Sequence, residues 1–156
     1  MTSVPASFAS RLAALATRPA PPSSKPRRIG AVALGAFLAF AGTSHLTFAR
    51  SEFQAQVPEW VPVGEDAVVL ASGVVEISLG AALILLRKRR VPVGLVAAAF
   101  FIGIFPGNIS QYVTHTDAFG LDSDGKRLGR LFFQPLLVIW ALWATGAWKA
   151  LRAGAK

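Results

Sequence analysis

The feature that most constrains this chain is a set of four long apolar stretches that are almost free of charge. They run over residues 29–48, 67–86, 91–112 and 131–148. Each has roughly the 17–25 mostly apolar residues that a helix needs to cross a bilayer. Glu76 is the only Lys, Arg, Asp or Glu within them. Because a soluble helix bundle needs a polar face on every helix, the pattern predicts an all-α, transmembrane four-helix bundle.

Charged residues outside these stretches are unevenly distributed, and the net charge is +8. Twelve of the 16 basic residues lie in segments without acids, namely 1–28, 87–90 and 149–156. The loops at about 49–66 and 113–130 hold the seven acidic residues other than Glu76. The positive-inside rule then predicts an antiparallel bundle with both termini in the cytoplasm. Basic residues that flank spans in this way do not indicate nucleic-acid binding.

The predicted domain organisation has three parts. Residues 1–28 form a cytoplasmic tail with a Pro-rich linker, 29–148 a four-span membrane domain, and 149–156 a basic cytoplasmic tail. The tail is interpreted as disordered, with a short amphipathic surface helix as the alternative. A small-x-small cleavage pattern occurs at 39–41. We expect an uncleaved first span, because the apolar run continues to Phe48.

The two longer loops have different patterns. Residues 57–62 read VPEWVP, and the two prolines exclude a long helix. This segment is predicted to form a short lid on the outer surface, or else an interfacial anchor through Trp60. Residues 117–130 contain glycines and alternating charges, which predicts a solvated, mobile loop. Glycines within the first three spans, including Gly94, Gly103 and Gly107 of the third, are expected at close helix contacts.

Each apolar stretch carries a strongly polar residue, namely His45, Glu76, Asn108 and Gln134 in turn. With a helical rise of roughly 1.5 Å per residue, all four lie in the outer half of the bilayer, and Glu76 is deepest at about 13 Å. Gln111 adds a further polar group at a similar level in the third stretch. Ser72 lies one helical turn from Glu76 on the same face. Lipid cannot satisfy these groups, so we expect them to form an outward-opening pocket with Glu76 at its floor.

Two roles are open for these polar residues. They can serve only as interhelical hydrogen-bond partners, or they can form a functional site, which an ionisable residue within a span indicates by default. Protonated Glu76 could donate a hydrogen bond to Asn108, and ionised Glu76 could pair with His45. The chain has no cysteine and two histidines, so neither thiol chemistry nor a metal site is predicted.

Five short motifs resemble, in order and spacing, the signatures of the DoxX-like family. They are AGTSH at 41–45, VPEWVP at 57–62, SGVVEI at 72–77, FPGN at 105–108 and RLFFQ at 130–134. The resemblance covers about residues 29–148. It implies a small four-helix protein of the bacterial inner membrane. Members are associated with quinone-linked thiosulfate oxidation and with oxidative-stress complexes, which implies a quinone and a redox partner.

The leading hypothesis is a membrane subunit that binds a small apolar ligand with a polar head, most plausibly a quinone. His45, Glu76 and Ser72 would contact the head, and Asn108 and Gln134 would orient it. For Trp140 and Trp143, lipid-facing packing is the favoured interpretation, with a place along the tail path as the alternative. The rival hypotheses are a small transporter and a non-catalytic scaffold for a soluble redox partner. We expect no independent catalytic activity, and an oligomer is compatible with the sequence.

Overall fold

The computed structural model describes residues 22–154, and every regular element in that range is a helix. The elements are α1 Lys25–Leu46, α2 Arg50–Gln54, α3 Glu65–Leu85, a 3₁₀ turn Arg87–Arg89, α4 Arg90–Val113, α5 Asp124–Thr145 and α6 Ala147–Gly154. Helices α1, α3 and α5, together with the turn plus α4, are long and apolar enough to cross a membrane. The prediction of an all-helical chain with four such helices is confirmed. The expectations about the tail before residue 22 lie outside the described residues.

Helix α1 begins four residues before the expected span, at Lys25. Ser24 precedes it in an extended conformation, and Pro26 lies in its first turn. Proline is well tolerated there, because the missing N–H has no partner within the helix. The last residues of the expected linker are therefore helical.

Helix α5 begins at Asp124, seven residues earlier than expected. Ser123 is extended, and the carboxylate of Asp124 lies in the first turn, where it interacts favourably with the helix dipole. Arg127 is buried and donates hydrogen bonds to Asp117 and Asp124. The prediction of a solvated loop over 117–130 is therefore wrong for residues 124–130. Their charged side chains are typical of a loop in sequence, but they belong to the first turns of a helix.

Helix α5 also ends earlier than the expected span. Gly146 follows Thr145 with a φ of 79°, a left-handed conformation that glycine adopts without a steric penalty. Residues 147–148 then belong to α6, which also contains most of the segment expected to be a basic tail. The fourth membrane-length helix is thus 124–145 rather than 131–148.

Helices α1 and α3 approach closely through glycines. A Cβ atom on Gly35 would lie 2.7 Å from the carbonyl oxygen of Gly80, and one on Gly42 would lie 2.5 Å from that of Gly73. Real Cβ atoms do not approach this closely, so a side chain at these positions would push the helices apart. The expectation that glycines mark helix contacts is confirmed at these four positions and at Gly94, which packs against Thr145. It is wrong for Gly103, where a Cβ atom would meet no atom of the described residues within 4 Å.

The apolar core joins α1 and α3 to α4 and α5. Leu34, Leu38, Leu79, Phe101 and Leu137 are among its buried side chains. Large apolar side chains also point away from the bundle on all four long helices. Phe40, Leu85, Ile102 and Phe132 are between 61% and 73% exposed. Because water-soluble proteins rarely expose so large an apolar surface, this outer surface supports lipid contact.

Candidate functional site

A cavity of about 460 Å³ lies among α1, α3, α4 and α5. All five residues selected from the sequence line it: His45, Ser72, Glu76, Asn108 and Gln134. The structure therefore brings together side chains from four different helices, as expected for an inward-facing site. Their role in ligand binding stays a prediction.

One wall of the cavity is formed by His45, Ser72 and Glu76. The Ser72 hydroxyl donates to the carbonyl oxygen of Val69 at 2.9 Å, and its oxygen lies 3.0 Å from His45 Nδ1. The donor in the contact between Ser72 and His45 depends on the tautomer of the imidazole.

Glu76 is the least satisfied member of this wall. Its Oε2 atom lies 3.5 Å from His45 Nδ1, and both side chains are buried. Among the described residues, Oε2 has no hydrogen-bond partner. A buried polar atom without a partner is costly, so this oxygen is available to a donor that enters the cavity.

The opposite wall is a chain of side-chain hydrogen bonds. Arg130 Nε donates to Asn108 Oδ1 at 3.0 Å, Asn108 Nδ2 to Gln134 Oε1 at 3.1 Å, and Gln134 Nε2 to the Phe101 carbonyl at 2.7 Å. Because a guanidinium group can only donate, Arg130 fixes the orientation of both amides. The hydrogen bond that protonated Glu76 could donate to Asn108 is not formed among the described residues, where Asn108 instead contacts Arg130 and Gln134.

Arg130 was missed as a candidate site residue. It lines the cavity, and its Nη2 donates to Gln56 Oε1 at 2.8 Å. Its guanidinium lies 5.4 Å from the ring centre of Phe119. No salt bridge joins it to a carboxylate within residues 22–154. The signal in the sequence was its position four residues before Gln134, which places both on one face once the segment is helical.

The loops cover the cavity at the end where these polar groups lie. Val57, Pro58, Trp60 and Val61 all line it, which agrees with the expected lid. Trp60 is nevertheless 71% exposed, so it can also contact the interface as the alternative interpretation requires. Phe53 of α2 lies with its ring centre 3.4 Å from that of His45.

Polar contacts hold this cover in place. Arg50 donates from Nε to Asp66 Oδ1 at 2.6 Å, and Gln54 donates to the same oxygen at 2.7 Å. The hydrogen bond to Asp66 raises the pKa of Arg50. The backbone N–H of Phe119 donates to Glu52 at 2.5 Å. Helix α2 is therefore tied to α3 and to the loop after α4.

The remainder of the cavity is apolar. Its walls include Phe37, Leu38, Phe101, Ile104, Phe133 and Leu137. Trp140 and Trp143 are not among the residues that line it. Instead, Trp140 Nε1 donates to the carbonyl oxygen of Gly30 at 3.0 Å. The alternative that places these two tryptophans along a tail path in this cavity is therefore wrong, and the 43% exposure of Trp143 agrees with lipid-facing packing.

Residues 34–145 match a family that spans most of the four long helices. The chain belongs to the family described as Domain of unknown function (DUF8561). No curated protein and no solved structure matches the chain. Every residue that lines the cavity lies within the matched range, so the site is part of the DUF8561 domain. The match does not name the DoxX-like family, and that resemblance stays a prediction.

The DUF8561 cavity combines groups with complementary chemistry. Glu76 and His45 can each gain or lose a proton, while Arg130 supplies a permanent positive charge. The side-chain nitrogen of Gln56 is a further donor, buried and without a partner among residues 22–154. In this part of the chain, no three His, Asp or Glu side chains are grouped as a metal site. The cavity can therefore hold a polar group by hydrogen bonds while an apolar body contacts the remaining walls.

Proposed function

We propose that this DUF8561 protein binds, within its membrane domain, a small molecule with an apolar body and a polar head. The main support is the pair of buried, unpartnered atoms, Glu76 Oε2 and Gln56 Nε2, in a largely apolar cavity. One is an acceptor and the other a donor. A volume of about 460 Å³ lies in the usual range for small-molecule sites.

A quinone is the ligand class that fits this arrangement best. Its carbonyl oxygens accept hydrogen bonds, which Gln56 and Arg130 are placed to donate. The hydroxyl groups of the reduced form donate, and Glu76 Oε2 is an open acceptor. Asn108 and Gln134 act as positioning residues, since their hydrogen bonds hold Arg130 at the cavity wall. The protein would then be a quinone-binding subunit, with the redox centre supplied by a partner.

The proposed topology is an antiparallel four-span bundle in a bacterial inner membrane, with both termini in the cytoplasm. It is supported by the contacts of Gly35 with Gly80 and of Gly42 with Gly73. Because increasing residue numbers in α1 meet decreasing residue numbers in α3, these two helices run in opposite directions. The basic residues at 25–28 and 87–90 support the assignment of the cytoplasmic side. A relationship to the DoxX-like family would agree with both proposals.

Transport is the weaker alternative. A transported polar solute needs polar groups along its path. Leu34, Leu38, Leu79 and Leu83 instead form a buried apolar cluster beyond Glu76. A cavity bounded by such an apolar cluster is better suited to binding than to passage through a single copy of the chain.

Trp60 provides a direct test of ligand binding. It lines the cavity, whereas Trp140, Trp143 and Trp148 do not. Titration of the detergent-solubilised protein with a short-chain quinone should quench Trp fluorescence in a saturable manner. The Trp60→Phe variant should show only the linear quenching that comes from partition into detergent. Equal, linear quenching in both proteins would contradict the proposal.

A further inference from the structure

A second cavity, here called the basic cavity, has a volume of about 820 Å³ and lies at the other end of the helices. It is lined by the first half of α1, the end of α3, the 3₁₀ turn, the start of α4 and the end of α5. Four of its residues are cations: Lys25, Arg28, Arg87 and Arg90. Among the described residues, no Asp or Glu lines it.

Several donors converge on the basic cavity. Arg90 is held at its wall by a hydrogen bond from Nε to the Thr145 carbonyl at 3.2 Å. The hydroxyl oxygen of Ser23 lines the cavity, is buried, and has no hydrogen-bond partner in the described part of the chain. Helix α1 begins beside it, and its N-cap residue Ser24 makes no side-chain capping bond. The free N–H groups of a helix N-terminus favour an anion.

The four cations would suit either a free anion or the phosphate of a lipid. The other residues of the cavity wall favour a lipid. Ile29, Val32, Ala36 and Ile84 line the same cavity. Ile29 is exposed on the outer face of the bundle, so the cavity is open towards the bilayer. An apolar surface that continues from a cationic end fits an acyl chain that continues from a phosphate group.

We propose that the basic cavity binds one anionic phospholipid, with its phosphate among Ser23, Lys25, Arg28, Arg87 and Arg90. This proposal is independent of the quinone proposal, because the two cavities share no lining residue. The proposal also predicts different roles for neighbouring basic residues between positions 87 and 90. Lys88 and Arg89 lie between Arg87 and Arg90 but do not line the cavity, so they should contribute only to the general surface charge.

Two double variants that remove the same number of positive charges distinguish a specific lipid site from general electrostatic attraction to the protein surface. In native mass spectrometry with phosphatidylglycerol and phosphatidylcholine supplied in equal amounts, the wild-type protein should retain one phosphatidylglycerol in preference. Arg28→Gln with Arg87→Gln should reduce that preference by about tenfold or more. Lys88→Gln with Arg89→Gln removes the same charge and should leave the preference within about twofold. An equal loss in both variants, or no loss in either, would overturn the proposal.

Two further experiments test competition by a free anion and a smaller change in the cavity. Inorganic phosphate should not displace the lipid, and displacement would show a free-anion site in place of a lipid site. If the Arg28 and Arg87 variant does not fold, Ser23→Asp introduces a negative charge into the cavity with a smaller change. Ser123→Asp is its control, since Ser123 precedes the first turn of α5 at the opposite end of the bundle, does not line the cavity, and Asp is a good N-cap residue. Lipid preference should fall only in Ser23→Asp, and retained preference there would contradict the proposal.

Discussion

The carboxylate of Glu76 lies 3.5 Å from Nδ1 of His45, and neither side chain is exposed. The closer partner of that nitrogen is Ser72, at 3.0 Å. Glu76 therefore has an ionisable neighbour, but its buried Oε2 has no hydrogen-bond partner among the described residues. If Glu76 served packing alone, its replacement by an apolar side chain would raise the stability of the protein and leave ligand binding unchanged. Stability and binding can be measured separately.

Replacement of Glu76 should separate stability from binding. Glu76→Leu removes the unpartnered buried oxygen and should raise the unfolding free energy by about 1 kcal/mol, or the melting temperature by about 2–4 °C. It should also weaken quinone binding by about tenfold. Glu76→Gln keeps the shape and should fold normally. Thermal melts and ligand titrations on the three proteins check both effects, and an unchanged affinity in Glu76→Leu would remove Glu76 from the site.

Arg130 should stabilise the protein more than a surface cation on the same helix. Arg130→Gln leaves the acceptors on Asn108 and Gln56 without their donor and should cost about 2–3 kcal/mol. Lys126→Gln is the control, because Lys126 pairs with Asp122 at the exposed surface. Such pairs contribute about 0–1 kcal/mol. Equal melting temperatures for the two variants would show that the Arg130 network adds little.

The glycine contact between α1 and α3 should not tolerate a methyl group. Gly42→Ala places a Cβ atom 2.5 Å from the Gly73 carbonyl oxygen and should destabilise the protein by about 1–3 kcal/mol. Gly129→Ala in α5 meets no atom within 4 Å. It should stabilise the protein by about 0.5–1 kcal/mol through helix propensity. Thermal unfolding in detergent measures both the expected loss and the expected gain of stability. An unchanged melting temperature in Gly42→Ala would argue against the close contact.

The cover over the cavity should loosen when its ion pair is removed. Arg50 pairs with Asp66 at the surface, where water and salt screen the pair, so Arg50→Gln should lower the global stability only slightly. Amide hydrogen exchange over 50–56 should become about two- to fivefold faster, while exchange in the middle of α4 stays unchanged. Arg152→Gln, in α6, is a control with the same charge change. Unchanged exchange over 50–56 would show that other contacts hold the cover.

The sequence predicted those features that depend on local properties. The length and apolarity of each stretch predicted four long helices, and the high cost of polar groups within them predicted that His45, Glu76, Asn108 and Gln134 face inward. The spacing of Ser72 and Glu76 placed both on one face. These inferences need only helical geometry and the cost of burying polar groups.

The features that were missed depend on contacts distant in sequence. Arg130 belongs to the site only because α5 begins at Asp124, and the charges around that start resemble those of a solvated loop. Gln56 and Phe119 reach the cavity through loops, and both contact Arg130. Trp140 looked like a site residue because of its chemistry, yet its partner is the Gly30 carbonyl of a helix more than 100 residues earlier.

The most direct test of the central claim is native mass spectrometry of the protein extracted gently from its own membrane. The account predicts one small, non-phospholipid molecule per chain, with the mass and ultraviolet spectrum of a quinone. That molecule should be absent from Glu76→Leu and retained in the variant with Arg28→Gln and Arg87→Gln, which alters only the basic cavity. A wild-type protein that carries no such molecule and takes up no added quinone would contradict the claim.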